Sequence, residues 1–127
     1  MEVTSDQDVV RIRQLVRTVA VAVKLSLVDQ TKLVTAASEL ARNTLVHGGG
    51  GTVEVGRVEN GRRYGIRIIF TDRGPGIADI DLALTDGYTT VGGLGLGLSG
   101  ARRLVDEFDI DTAVGRGTSI TVTKWCR

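Results

Sequence analysis

The chain has 127 residues, 42% hydrophobic and 24% charged, and its 16 Lys and Arg against 15 Asp and Glu leave a net charge of +1. A chain of this length buries a core without staples, and one Cys with one His supplies neither an internal disulfide nor a zinc site. The near-zero charge argues against nucleic acid as a partner, and no apolar run approaches the length that spans a bilayer.

The polar, acidic start MEVTSDQDVV lacks the basic n-region and apolar stretch of a signal peptide, so the expectation is a soluble, cytoplasmic protein. A short strand near Val3 is only weakly signalled. Val9, Ile12, Val16, Val19 and Val23 recur at helical spacing, which predicts a helix from about 7 to 24. Leu33, Ala37, Leu40, Ala41 and Thr44 repeat the period in a second helix, with Asp29 as its cap and Gly48 as its stop. Residues 52–59 and 64–71 alternate β-branched residues around Asn60-Gly61, a hairpin signal in which Ile66, Ile68 and Phe70 face one side. Ile80 to Leu84 reads as a helical turn or two inside a long connection. Ser99 to Glu107 shows helical spacing, and the strands Phe108–Val114 and Ser119–Trp125 are joined by Gly115-Arg116-Gly117.

The order helix, helix, hairpin, helix, hairpin gives an α+β class with the helices on one face of a mostly antiparallel sheet. No repeat or linker interrupts it, so residues 1–127 read as one domain.

Glycine, 17 residues beside one proline, is clustered, and clusters mark positive φ or close backbone approach. Glu39 and Asn43 stand one turn apart on the second helix; alone, such a pair reads as a solvated polar face. Asp72-Arg73-Gly74-Pro75-Gly76-Ile77 leaves the best strand, so Asp72 is an acceptor on rigid backbone, although Asp and Gly also suit an ordinary turn. Gly92 to Gly100 precedes the third helix and matches GxGxxG at Gly95, Gly97 and Gly100. No parallel strand precedes it and no Gly-Lys-Ser/Thr occurs, which excludes the dinucleotide fold and the P-loop. Gly115-Arg116-Gly117-Thr118 is a common strand connection whose threonine offers a hydroxyl.

In this order and at these spacings ELARN, DRGPGI, GGLGLGL and GRGTS resemble the N, G1, G2 and G3 boxes of the GHKL ATP-binding superfamily, which includes DNA gyrase B, Hsp90, histidine kinases and the MutL proteins. The resemblance runs from about residue 29 to the C-terminus and implies the Bergerat-type fold. The small size, and the stretch from DGYTT to TVTKW, make the chain similar to the free-standing anti-sigma-factor type of serine/threonine kinase, and within it to the stressosome switch kinases. That resemblance implies phosphorylation of Ser or Thr on STAS-domain antagonist proteins with Mg-ATP. It further implies a PP2C-type phosphatase or a sigma factor as a partner. The alternative is an ATP-gated binding module, an anti-sigma factor or phosphatase activator with little turnover.

Carried over by residue, the resemblance makes Asp72 the acceptor for the adenine amino group, with Gly74, Gly76 and Ile77 shaping the base pocket and Thr118 beside it. Asn43 becomes the Mg²⁺ ligand and Glu39 the acceptor of the substrate hydroxyl proton. Gly93, Leu94, Gly95, Leu96 and Gly97 would wrap the phosphates, and residues 77–92 correspond to a short lid. One departure stands out: residues 77–101 contain no Lys or Arg, whereas some relatives carry a basic lid residue near the γ-phosphate. Mg²⁺, loop amides or nearby Arg42, Arg102 and Arg103 must then neutralise the charge, and those arginines read more readily as surface charges.

Overall fold

The computed structural model describes residues 1–77 and 98–126. The helical turn expected at Ile80–Leu84, most of the lid, and Gly93, Leu94, Gly95, Leu96 and Gly97 lie outside the described residues.

Strand β1 (Glu2–Val3) leads into α1 (Asp6–Ala22) and α2 (Leu27–Val46), followed by β2 (Gly51–Asn60), β3 (Arg63–Asp72), α3 (Leu98–Leu104), β4 (Glu107–Ala113) and β5 (Gly117–Trp125). The five strands form one sheet in the order β1-β2-β3-β5-β4, and each neighbouring pair is antiparallel. The β2–β3 hairpin is paired out to Asn60 and Arg63, so its two-residue turn is Gly61-Arg62 rather than Asn60-Gly61, with Gly61 at φ +63°.

Helices α1 and α2 each begin where a hydroxyl takes up an orphan amide. Ser5 caps α1 and accepts from the Asp8 amide at 3.4 Å, while Asp8 accepts from the Thr4 N–H at 2.9 Å. The Thr4 N–H bond is the main cause holding the Asp8 carboxyl below the usual carboxylate range. Ser26, not Asp29, caps α2 and accepts from the Asp29 amide at 3.1 Å. Asp29 is the third residue of the helix, so the expected cap lies three positions beyond the observed one. Helix α3 also ends earlier than its apolar spacing suggests, because Glu107 and Phe108 pair with Thr123 and Val122 as the start of β4.

The helices lie against one face of the sheet. Leu33, Ala36, Ala37, Leu40 and Ala41 of α2 meet Ile66, Ile68 and Phe70 of β3 and Ile120 and Val122 of β5 in one core, with Val53 of β2 and Leu98 of α3. Alternation along β3 therefore selects the buried side, as period-two patterning requires. Trp125 and Cys126 pack at the far end, the thiol within 2.9 Å of the Val23 carbonyl oxygen. Among the described residues no helix is long and apolar enough to cross a membrane.

Among the described residues Lys124 is the most deeply buried charged group. Lys124, 4% exposed, sends its ammonium to within 3.6 Å of Asp29 at the start of α2 and 3.6 Å of Asp106 ahead of β4. Asp106 also accepts from the Trp125 amide at 2.7 Å, so the cluster joins a helix start to two strand ends. Removing the cation from such a cluster leaves two shielded carboxylates facing each other. Lys124→Met is expected to cost about 3 kcal/mol of stability, read as a lower denaturant midpoint at unchanged m-value.

Candidate functional site

Glu39, Asn43 and His47 follow one another at intervals of four along α2, so their side chains form a polar row on one side of that helix. His47 closes the helix, its amide donating to the Asn43 carbonyl oxygen at 2.9 Å, and Gly48 donates to the same oxygen at 3.1 Å. The row then runs into the end of β3. At Gly48 an added Cβ would lie 2.4 Å from the Asp72 Cβ, closer than any real contact, so only glycine lets helix and strand meet there. Burial lowers the His47 pKa, and the neighbouring Asp72 carboxylate partly opposes that by favouring the imidazolium.

Asp72 is the last residue of β3. Its Oδ1 accepts from the Gly74 amide at 2.9 Å, a local Asx bond that fixes the carboxylate. Thr118 stands opposite Asp72 in the β3–β5 register and is buried. Asp72 and Thr118 thus meet at one end of the sheet, beside the C-terminus of α2.

The loop leaving Asp72 is stitched to the β4–β5 hairpin through Thr112, a residue that sequence reasoning missed. The Thr112 Oγ1 accepts from the Ile77 amide at 3.0 Å, donates to the Gly117 carbonyl oxygen at 3.0 Å and lies 2.8 Å from the Thr118 Oγ1. Gly115 donates from its amide to the Pro75 carbonyl oxygen at 2.9 Å. Gly76 has φ +77°, and a Cβ there would sit 2.1 Å from the Ala113 carbonyl oxygen. The glycine boxes after β3 and between β4 and β5 therefore form one hydrogen-bonded unit around Asp72 and Thr118, with Ile77 half-buried against the core.

A hollow of about 300 Å³ opens beside this unit, lined by Thr71, Asp72, Asp111, Arg116, Gly117, Thr118 and Ser119. Thr71, Ser119 and Asp111 pair in register on the sheet face away from the helices. Glu39 and Asn43, on α2, do not line it.

At the other end of the polar row Glu39 has 44% of its side chain exposed and stands 3.9 Å from Arg42. Among the described residues no three His, Cys, Asp or Glu side chains gather as a metal cluster. Of the site residues named from sequence, Glu39, Asn43, Asp72, Gly74, Gly76, Ile77 and Thr118 are described, and they run from α2 to the two glycine turns.

Residues 28–126 match the histidine kinase-, DNA gyrase B- and HSP90-like ATPase family. The chain is 42% identical over 127 residues to the serine/threonine-protein kinase RsbT of Bacillus subtilis, covering 100% of this chain and 96% of that protein. It is 30% identical over 97 residues to an anti-sigma F factor of Thermoanaerobacter, covering 72% of this chain and 66% of that one. The catalytic domain of histidine kinase ThkA superposes with a TM-score of 0.58 at 14% identity over 98% of this chain and 93% of that one, a likeness of fold. The chain belongs to the histidine kinase-, DNA gyrase B- and HSP90-like ATPases, in their serine/threonine-protein kinase branch.

Proposed function

We propose that this chain transfers the γ-phosphoryl group of ATP to a Ser or Thr hydroxyl of a STAS-domain antagonist protein in a partner-switching stress response. It acts as a single domain in the cytoplasm, and once released from that protein it engages a PP2C-type phosphatase. The observation that carries this reading is the continuous row from Asp72 through His47 and Asn43 to Glu39, which offers a base-recognising carboxylate at one end and a proton acceptor at the other.

At the adenine end, Asp72 accepts from the exocyclic amino group, with Thr118 beside it and Gly74, Gly76 and Ile77 shaping the pocket. The places a Cβ would take at Gly74 and Gly76 are filled by Gly48 and by the Ala113 carbonyl, so glycine there sets the close course of the turn that walls the pocket, and the bond from the Gly74 amide holds the carboxylate ready. Gly93, Leu94, Gly95, Leu96 and Gly97 supply amides to the phosphates. The donor set suits Mg²⁺, since this ion takes few protein oxygens and completes its octahedron with phosphate and water, so the single amide oxygen of Asn43 suffices. When bound, Mg²⁺ neutralises charge on the β- and γ-phosphates. Glu39 takes the proton of the acceptor hydroxyl as its oxygen bonds to the γ-phosphorus; the bond from that phosphorus to the bridging oxygen breaks, and ADP leaves with the electron pair. The product phosphoester adds nearly two negative charges beside the nucleotide, which favours separation.

The anti-sigma F factor likeness supports a second reading, an ATP-gated binding module with little turnover. Transfer by the wild-type chain separates the two, and Glu39→Gln, which preserves shape and removes the base, tests the role of Glu39. ATP binding is expected to persist in this variant while transfer to the STAS protein falls roughly a hundredfold or more; transfer at full rate from it refutes Glu39 as the base, and ATP binding without transfer by the wild-type chain favours the binding module.

Asp72→Asn is expected to weaken ATP by about ten- to a hundredfold, the worth of one charge-assisted hydrogen bond, with the fold retained. GTP presents a carbonyl where Asp72 needs a donor, so calorimetric titration should show it binding far more weakly than ATP. Thr112→Val removes the shared acceptor and donor of the glycine turns at constant shape. Its expected cost is about 1–2 kcal/mol of stability together with a weaker ATP titration; an unchanged nucleotide affinity would separate the hairpin from the base pocket.

A further inference from the structure

The outer face of α2 carries, besides Glu39, side chains that the nucleotide chemistry does not use. Its inner face, Leu33, Ala36, Ala37, Leu40, Ala41 and Thr44, is buried against the sheet. Its outer face is a single stripe at spacings of three and four, in which Val28, Lys32, Thr35, Arg42 and Val46 are exposed and Glu39 is half-buried. Both ends of the stripe are apolar and open, Val28 at 63% and Val46 at 62% exposed. Lys32 makes no ion pair among the described residues, and Arg42 stands 3.9 Å from Glu39 with most of its side chain in solvent. Glu39 is the one carboxylate in the stripe.

A hydroxyl delivered to Glu39 arrives from the outer side, since the sheet blocks the other. We propose that this stripe is the docking strip for the phospho-acceptor protein, which lies along α2 with its acceptor residue at Glu39. The inference rests on Glu39 being the proton acceptor and adds the surface and charge of the substrate. Lys32 precedes Glu39 by seven residues and Arg42 follows by three, about 10 Å and 5 Å along the axis. The acceptor protein therefore carries acidic side chains on both sides of the modified hydroxyl, spaced about 15 Å apart, and apolar contacts beyond them over Val28 and Val46. An exposed pair such as Arg42 with Glu39 is held by about 1 kcal/mol or less, so Arg42 exchanges partners readily on docking.

The test uses the full chain with a purified single-domain STAS protein from the same genome. Lys32→Glu is expected to raise the KM for that protein about tenfold and to weaken the salt dependence of KM, with kcat and the KM for ATP unchanged. Val28→Asp should raise the same KM. Glu54→Lys, on the exposed sheet face away from the helices, should leave it alone. Docking is also read without chemistry, by titrating the STAS protein into Glu39→Gln and into Glu39→Gln/Lys32→Glu. If the wild-type chain transfers phosphate but KM and affinity ignore Lys32 and Val28, the docking strip is wrong and the kinase reading stands. If affinity depends on Lys32 while no transfer occurs, α2 is a docking surface of a binding module, and both the kinase reading and the placement of an acceptor hydroxyl at Glu39 fall. Equal effects from Glu54→Lys overturn the strip.

Discussion

The geometry of this molecule is organised by the crowding of backbone around one carboxylate. Asp72 ends β3 at the point where α2 stops and β5 begins, and those elements approach so closely that side chains are excluded. A Cβ at Gly48 would enter the Asp72 side chain, and a Cβ at Gly117 would lie 2.2 Å from the Asp72 carbonyl oxygen. Three elements are thereby held in one arrangement about a fixed acceptor. Because α2 is pinned there and buried along its inner face, the direction of its polar row is settled as well.

Sequence reasoning located much of this because its signals were local. Two helices at a 3.6-residue period, a β-rich hairpin around Asn60-Gly61 and a final strand pair all lie within a few residues of the observed elements. The buried side of β3 followed from alternation alone, and Ile66, Ile68 and Phe70 are each 1% exposed or less. Glu39 and Asn43 carried no distinguishing pattern of their own. Their interest came from the order of four boxes in the chain, which resembles a known superfamily, so the fold that makes sense of those boxes was read through likeness more than through periodicity.

What escaped was long-range. Thr112 is one threonine in a strand, and its value lies in meeting Ile77, thirty-five residues away, and Gly117 across the hairpin. Lys124 sits among the alternating residues of β5, where a lysine normally points to solvent; only the fold brings Asp29 and Asp106 to it. Asp29 suits a cap by residue type, yet Ser26 holds that place and Asp29 serves the buried lysine instead. In each case the local preference was real and tertiary pairing decided the outcome.

The proposed site has two ends built by different physics, and that difference bears on how such a protein switches partners. The adenine end is made of backbone contacts, an Asx bond and a threonine joining two turns, all intramolecular and within the fold. Changing its shape means breaking several hydrogen bonds at once, so nucleotide recognition is a property of the folded chain. The transfer end is a half-exposed Glu39 in a loose pair with Arg42, on a helix surface that nothing among the described residues covers. Solvent screens that pair and its net energy is small. A docked protein excludes water there and strengthens every charge interaction around the base. In the proposed mechanism, therefore, ATP binding is intrinsic to the chain, while proton transfer depends on the surface that the partner brings.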